Sequence, residues 1–479
     1  MKTVLLFLSA LISTASAQSI PYSSTGTISI AKIFALRAAT DSLFFVNEKR
    51  VNALEASILK LKASFDSLLR AVPPLPVKKY SDIPLPPFTA GTAIAPSNFC
   101  CTSPGLFDFA SGRPPGDYKP NGAFVNGLSI RQASGAYRFV TTAGAVYGTQ
   151  GTGQNHGIST NGVGTYDLSF YGLATAATIV TGENGFQMPS ASGGSTILVQ
   201  DAVAKNPNAS GFTANFGILG TNYYKTITVK NLRCFNTGQE CIYEGNTGAS
   251  YNGTNYINVS VVSNCFGYNL QREFIQIEHA NFVTVEYNTS INAGQTTTSG
   301  QSNNFQYHDN GPGSQVRYNV FSGAKDGFSI ASHGLRLHHN YISWTAFPGQ
   351  ILRTDNQYFA AFANRLTGDS IIIENNCFKK LGGSDTYAVK VEERTAPIIF
   401  RNNTLDGSTT MYLDNRAIGY TNTITGQVGN HGNVIGTCPT PTFVIGYNDP
   451  DNYLLQGLST TTDTWYIEGY GYRAPLFRP

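Results

Sequence analysis

Asn319-Val320-Phe321 and Asn340-Tyr341-Ile342 are copies of a phrase that recurs through the second half of the sequence. Each copy has an Asn, any residue and an apolar residue, and it closes a short apolar run. The other copies are Asn264-Cys265-Phe266, Asn376-Cys377-Phe378 and Asn403-Thr404-Leu405, with a looser copy at Asn288. A turn and a second apolar run follow each copy: FIQIEH (274–279), NFQYHD (304–309), GFSIAS (327–332), QILRTD (350–355), AVKVEE (388–393) and MYLDN (411–415).

The spacing of these runs predicts a solenoid. When the runs are aligned, the steps between equivalent residues are 30, 23, 23, 38 and 22, counted over Ile275, Phe305, Phe328, Ile351, Val389 and Met411. Such a period, with two or three short alternating strands per repeat, is typical of a parallel β-helix whose strands stack on the next coil. Asn suits the bends because it tolerates a left-handed backbone. Asn side chains stacked on successive coils can also bond to one another in a ladder.

Over roughly residues 225–425 the repeated phrase resembles the right-handed parallel β-helix proteins of the pectate-lyase-like superfold, including secreted proteins with NNxF and GIxI coils. The resemblance implies an all-β fold, a right-handed single-stranded parallel β-helix, which we place at residues 96–425. It implies little about chemistry, because this superfold carries lyases, hydrolases, esterases, phage tailspikes and adhesins.

The first residues predict export. Met1-Lys2, an apolar run from Val4 to Ile12 and Ala15-Ser16-Ala17 have the order of a secretory signal, residues 1–17. No later apolar stretch is long enough to span a bilayer. Only 13% of residues are charged and the net charge is +3, so nothing indicates a nucleic-acid surface. We expect a secreted, extracellular protein.

Residues 30–72 predict a helix or coiled coil before the β-helix. Apolar residues recur every seven positions over 33–72, at Phe44, Val51, Ile58, Phe65 and Val72, with Leu54, Leu61 and Leu68 between them. This segment either forms a homotrimeric stalk or packs against its own β-helix. A Pro-rich linker (73–95) follows, and its stiffness favours the stalk. The Tyr- and Gly-rich residues 426–479 predict a C-terminal β cap.

The chain has seven cysteines. Cys234 and Cys265 hold the same place in their copies of the phrase, so they are expected on adjacent coils about 4.8 Å apart. That distance allows a disulfide between them. The alternative is two small buried side chains stacked in the wall.

Ionisable residues collect on one predicted wall of the helix. If Ile275 and Ile277 point inward, Gln276 and Glu278 point outward and are exposed. The same register exposes Gln306, His308, Ser329, Lys390 and Glu392, with Asp309, Arg353, Asp355 and Arg394 beside them. By contrast, His338-His339 is expected at the surface of another strand. Glu244 occupies a position that apolar residues fill in the other coils. Either it is a buried partner of Arg272, or the alignment of the coils fails at this point.

This wall predicts a polysaccharide lyase acting on an acidic glycan. Elimination from a uronide requires neutralisation of its carboxylate and a base that removes the C5 proton. Glu278 and Asp309 are the candidate ligands for Ca²⁺. The candidate catalytic residues are Lys390, Arg353, His308 and Asp355, and the candidate substrate-binding residues are Gln276, Gln306, Arg394 and Glu392.

Two other functions remain open. The alternative enzyme is a glycoside hydrolase, because Asp309 and Asp355, two coils apart, are expected roughly 9 to 10 Å from each other, near the inverting distance. A non-catalytic trimeric spike or adhesin is the competing class, favoured by the heptads and by the lack of a family catalytic motif. In that case the charged wall is a solvent-exposed edge, and its ion pairs contribute little to the stability of the fold.

Overall fold

The computed structural model describes residues 92–94, 107–109, 114–125, 127–131, 134–141, 146–148, 156–161, 165–172, 179–188, 194–214, 224–245, 257–296, 302–308, 310–311, 313–332, 334–351, 370–392, 397–416 and 423–438. All of them belong to one compact unit, Pro74–Arg478. The regular structure in these ranges consists of β-strands and no helix.

The strands form three parallel sheets of 13, 12 and 12 strands. The first sheet contains Thr92–Ile94, Gly116–Pro120, Gly135–Val140, Tyr166–Tyr171, Ser195–Gln200, Tyr224–Lys230, Ile257–Ser263, Ala280–Glu286, Gln315–Arg317, Arg336–His338, Ile371–Glu374, Ile398–Arg401 and Ile424–Thr425. The second contains Ala123–Phe124, Val146–Tyr147, Ile179–Val180, Val203–Lys205, Arg233–Phe235, Phe266–Tyr268, Thr289–Ile291, Val320–Asp326, Tyr341–Phe347, Cys377–Lys380, Thr404–Asp406 and Val434–Ile435. The third contains Phe107–Phe109, Leu128–Arg131, Ile158–Asn161, Phe186–Gln187, Phe212–Ala214, Ile242–Glu244, Ile275–Glu278, Phe305–His308, Ser329–Ala331, Gly349–Ile351, Tyr387–Val391 and Thr410–Asp414.

The order of the strands is that of a coil. From Gly116 onward the chain visits the first, second and third sheets in turn and then starts again, so each strand pairs with the strand three places later. This topology fits a parallel β-helix. The all-β, parallel part of the predicted fold class is confirmed.

Alternation along the strands explains the core. In Ser195–Gln200 every second residue is buried, and the residues between them are half-buried. Successive side chains of a strand point to opposite faces, so one face of each sheet fills the interior of the coil. The interior side chains then stack from coil to coil, as the parallel rings of Phe124 and Tyr147 do at 5.2 Å. Burial of each large apolar side chain contributes about 1.5–3 kcal/mol.

The corner between the first and second sheets has a column of left-handed residues. Their φ angles lie between 54 and 61° at Asp201, Asn231, Asn264, Tyr287, Tyr318, His339, Asn375 and Asn402. Asn, Asp and His adopt this conformation more readily than other side chains, whereas Tyr is disfavoured in it. The left-handed bend therefore recurs at one place in each coil, even where the side chain does not favour it.

An asparagine ladder runs beside this column, one residue later in each coil. It consists of Asn288, Asn319, Asn340, Asn376, Asn403 and Asn433, all at most 2% exposed. From Asn288 to Asn403, each Nδ2 donates to the Oδ1 of the next coil at 2.8–3.1 Å. The same Oδ1 accepts the backbone N–H of the preceding Asn at 2.9–3.0 Å. The ladder expected from the sequence is present, and it satisfies amides that are costly to bury unbonded.

The sequence assigned both the left-handed bend and the ladder position to the same Asn of each coil. In the structure two consecutive residues take these two roles. Asn264 has a left-handed φ of 57° and stands outside the ladder. Its neighbour Cys265 holds the ladder position, because the Cys265 N–H donates to Asn288 Oδ1 at 2.8 Å. The alignment of Asn264 with Asn319 was therefore wrong by one residue. A similar slip affects Ile351, which pairs with Ile330 instead of Phe328.

The predicted Cys234–Cys265 disulfide is wrong. Cys234 pairs in register with Gly267, two residues beyond Cys265. It bonds instead to Cys241 in its own coil, and Cys265 is a buried free thiol. A second disulfide joins Cys377 to Cys438. Two disulfides are compatible with the predicted export.

Several predictions fall wholly or partly outside the described residues. The signal (1–17), the helix or coiled coil (30–72) and the trimer through 33–72 lie entirely outside them. Parallel strands extend on both sides of the predicted range 96–425, since Thr92–Ile94 and Val434–Ile435 belong to the sheets. Among the residues described, no helix is long and apolar enough to cross a bilayer.

Candidate functional site

The outer face of the third sheet brings together residues that the sequence placed on one wall. Gln276 pairs with Gln306, and Gln306 with Ser329. The column continues through Gln350 to Lys390. Parallel pairing in register stacks these side chains at about 4.8 Å per coil. A row of amides with one hydroxyl and one ammonium group therefore runs along this face.

A second column, two residues further along the strands, carries the ionisable groups. Glu278 pairs with His308, and His308 with Ala331. The His308 Nδ1 lies 3.9 Å from Glu278 Oε1. Because the coils stack in register, a carboxylate and an imidazole from strands 30 residues apart become direct neighbours.

Hydrogen bonds join both columns into one network, which we call the His308 cluster: Gln276, Glu278, Gln306, His308 and Ser329. Glu278 Oε1 accepts from Gln276 Nε2 at 2.8 Å and from Gln306 Nε2 at 3.3 Å. Gln306 Nε2 also lies 3.2 Å from His308 Nδ1, and His308 Nε2 lies 2.9 Å from Ser329 Oγ. The imidazole is thus held between a hydroxyl on one side and a carboxylate with its amides on the other.

The cluster faces outward but is buried, which corrects the expectation that this register exposes it. Gln276, Glu278, Gln306 and Ser329 are only 2–6% exposed. The His308 side chain is 21% exposed, and it is the member of the cluster most open to solvent. Hydrogen bonds are stronger where water is excluded, so the network holds the ring in a defined orientation. One titratable ring is therefore accessible within a rigid polar surrounding.

The predicted Lys390 and Glu392 lie further along the same face. Their side chains form an ion pair of 2.5 Å, and both are half-buried. Lys390 is three coils from Gln306 in the column, so the two are separated by roughly 14 Å. Lys390 is thus outside hydrogen-bonding reach of His308, although one extended ligand along the face can meet both.

Four predicted site residues, Asp309, Arg353, Asp355 and Arg394, lie outside the described residues. The structure therefore does not place them relative to the His308 cluster. Within the described ranges, no group of three or more His, Cys, Asp and Glu side chains is arranged to hold a metal ion. The Ca²⁺ site at Glu278 and Asp309 stays a prediction.

Two expectations about neighbouring residues are wrong. Arg272 lies 3.4 Å from Glu240, so it is not the partner of Glu244, which is buried beside Ser260. Burial raises the pKa of Glu244 to about 8. His338 is 5% exposed instead of lying at the surface, and burial lowers its pKa to about 4. Both errors concern contacts between coils, which local sequence does not show.

Three residues in polar contacts had no predicted role. Ser329 was placed on the wall but given no role, although it touches His308. An acidic pair in the corner between the second and third sheets, Glu240 and Glu273, was not considered. Burial, followed by the charge of Glu240, raises the pKa of Glu273 to about 8. A signal was available, since each acid follows an Asn by four residues, at Asn236 and Asn269.

Comparisons with known proteins identify no family. No family model and no curated protein matches the sequence. Among solved structures, an alginate lyase from Paenibacillus sp. str. FPU-7 is 11% identical with a TM-score of 0.31, covering 64% of this chain and 93% of its own. The catalytic unit of a thermostable GH87 alpha-1,3-glucanase from Streptomyces thermodiastaticus strain HF3-3 is 14% identical with a TM-score of 0.26, covering 69% of this chain and 63% of its own. These scores are too low to transfer a function.

Proposed function

We propose that this protein is a secreted enzyme that acts on a polysaccharide at the outer face of the third sheet, with His308 as the proton-transferring group. One observation carries the proposal: His308 Nε2 lies 2.9 Å from Ser329 Oγ, and the opposite ring nitrogen faces Glu278 and Gln306. A nucleophile, a base and a group that orients the base, in this order, are the elements of hydrolytic nucleophilic catalysis.

The reaction that this arrangement supports best is hydrolysis of an ester carried by the polysaccharide. Ser329 Oγ attacks the ester carbonyl while its proton moves to His308 Nε2. The tetrahedral intermediate then expels the alcohol, which is the sugar hydroxyl of an acetyl ester or the methanol of a methyl ester, and this alcohol takes that proton. Water then attacks the acyl-serine and gives a proton to His308 Nε2. The acid is released when Ser329 Oγ takes this proton back from Nε2 and becomes a hydroxyl again. Each turnover consumes one ester and one water and yields one acid and one alcohol.

The tautomer of His308 decides whether Ser329 is activated. Nε2 must be without a proton in the resting state, so Nδ1 carries it. Gln306 Nε2 lies 3.2 Å from Nδ1 and Glu278 Oε1 lies 3.9 Å from it, so the mechanism requires the Gln306 amide to move aside and the Glu278 carboxylate to approach and accept this N–H. A negative carboxylate on that side also stabilises the imidazolium that forms during the attack.

Elimination from an acidic glycan is the second candidate, favoured by Lys390 in the same column. In this reaction His308 removes the C5 proton directly, and cations neutralise the uronate carboxylate. Lys390 is held by Glu392, so the neutralising charge depends on the predicted Arg353, Arg394 or a Ca²⁺ ion at Glu278 and Asp309. Ser329 takes no part in this mechanism.

The Ser329→Ala variant separates the two reactions. Purified protein is assayed on acetylated and methyl-esterified glycans for released acid and alcohol, and on pectate and alginate for absorbance of unsaturated uronides. If the protein hydrolyses esters, Ser329→Ala lowers the rate by at least about 10³-fold. If it is a lyase, Ser329→Ala leaves elimination nearly unchanged, whereas His308→Gln abolishes it.

Ser322→Ala is the matched control, because Ser322 is a half-buried serine of the same coil on the second sheet. It is expected to leave either activity unchanged. A flat result on every substrate, or full activity in His308→Gln, would contradict the proposal. The competing function would then be a non-catalytic binding shaft.

A further inference from the structure

A second polar surface lies away from the His308 cluster, at the corner between the second and third sheets. Asn206, Asn236 and Asn269 occupy the same place in three successive coils, and their φ angles are 51, 49 and 55°. We call these three residues the open row. Their left-handed backbone explains the residue type, since Asn adopts this conformation more readily than most side chains.

The amides of the open row bond to one another from coil to coil. Asn269 Nδ2 donates to Asn236 Oδ1 at 2.7 Å, and Asn236 Nδ2 donates to Asn206 Oδ1 at 3.2 Å. All three residues are half-buried, whereas the asparagine ladder is fully buried. A primary amide offers two donors and two acceptor lone pairs. The row uses one donor and one lone pair of Asn236, which leaves bonding capacity on the solvent side.

The open row lines a groove of about 410 Å³. Its lining residues are Asn206, Pro207, Asn208, Asn236, Thr237, Gly238, Asn269 and Gln271. None of these side chains is ionisable. Of the neighbouring cations, Arg272 lies 3.4 Å from Glu240 and is thus already engaged by a carboxylate, and Lys205, next to Asn206, is outside the lining. The groove is therefore polar and uncharged, and it extends across three coils along the axis of the helix.

We propose that this groove binds an uncharged stretch of polysaccharide laid along the axis of the coils. Sugar hydroxyls both donate and accept hydrogen bonds, as amides do, and a polymer of repeating units can meet the same amide in each coil at steps of about 4.8 Å. A polyanion would require cationic lining residues, and an apolar ligand would leave the amides without hydrogen-bonding partners. The groove holds a chain without cutting it, and this role goes beyond the proposed reaction.

The test measures binding to the full-length protein by calorimetry. The probes are neutral hexasaccharides of glucan and mannan linkages, with hexagalacturonate as the charged counterpart. The double variant Asn236→Gly, Asn269→Gly removes two amides while Gly keeps the left-handed backbone. We expect a neutral probe to bind and the double variant to weaken it by about tenfold, the effect of losing one or two hydrogen bonds.

Asn292→Gly is the matched control, because Asn292 has a left-handed φ of 56° in the next coil but does not line the groove. It is expected to bind like the unchanged protein. Ser329→Ala, in the His308 cluster, is expected to bind equally well, so a failure of the proposed reaction and a failure of this groove are distinguishable. The proposal is overturned if no neutral probe binds below about 1 mM. It is also overturned if the double variant binds normally, or if Ser329→Ala abolishes binding.

Discussion

The asparagine ladder and the open row are columns of hydrogen-bonded asparagines among the described residues, and they differ in their access to water. The asparagine ladder is at most 2% exposed, and its amides bond to neighbouring amides and to backbone carbonyls. The open row forms similar bonds between coils but borders a groove. The same side chain at the same spacing thus stabilises the coil in one corner and presents hydrogen-bonding groups in another. Burial separates the two roles, because only buried groups carry a full penalty when a bond is lost.

The largest expected effect comes from breaking the middle of the ladder. Asn340→Leu keeps the branching of the side chain but removes an Oδ1 that accepts from Asn319 and an Nδ2 that donates to Val316 and Asn376. Several buried groups lose partners, so the free energy of unfolding should fall on the order of 3–5 kcal/mol. Urea unfolding followed by circular dichroism measures it.

Asn236→Gly in the open row is the comparison for this variant. Water can replace its lost bonds and Gly tolerates the left-handed backbone, so the expected loss is below about 1 kcal/mol. Equal losses in Asn340→Leu and Asn236→Gly would show that burial does not separate the two columns.

The second expected effect is a dependence of the free energy of unfolding on pH, which arises in the corner of the open row and not in the asparagine ladder. The ladder side chains do not titrate, whereas Glu273 lies beside the open row with its pKa raised from 4.5 to about 8, first by burial and then by Glu240. Between these values the native state keeps a proton that the unfolded chain releases. The free energy of unfolding therefore falls as pH rises, by up to about 1.4 kcal/mol per pH unit from this group.

The Glu273→Gln variant tests this sign. It should be less sensitive to pH than the unchanged protein between pH 5 and 8, and the gap in stability between them should widen as pH rises. Glu286→Gln is the control, since Glu286 forms an ion pair 2.7 Å from Arg317 on the first sheet and is not in this corner. Parallel pH profiles for Glu273→Gln and the unchanged protein would refute the prediction.

Local sequence patterns predicted some features of these columns and not others. Alternation within a strand is local, so it correctly placed Gln276 and Gln306 in one outward column. The register of Asn264 depends on partners in another coil, and its phrase reads the same as that of Asn319. The error of one residue there, and of two at Cys234, was enough to predict the wrong disulfide. The burial of Glu278 depends on contacts distant in sequence, which no local pattern encodes.

The smallest expected effect extends the ladder by one rung. Cys265 holds the ladder position before Asn288, and its Sγ lies 3.6 Å from Val229 O, the carbonyl equivalent to the one that Asn288 binds. In Cys265→Asn the new Nδ2 can donate to Val229 O and to Asn288 Oδ1. We expect a gain of about 1 kcal/mol in the free energy of unfolding, close to the net contribution of one hydrogen bond. Cys265→Ala, which offers no donor, is the control and should lose stability. If the Asn variant is less stable than the Ala variant, the coil before Asn288 does not accept a rung, and the ladder ends there because of packing instead of residue type.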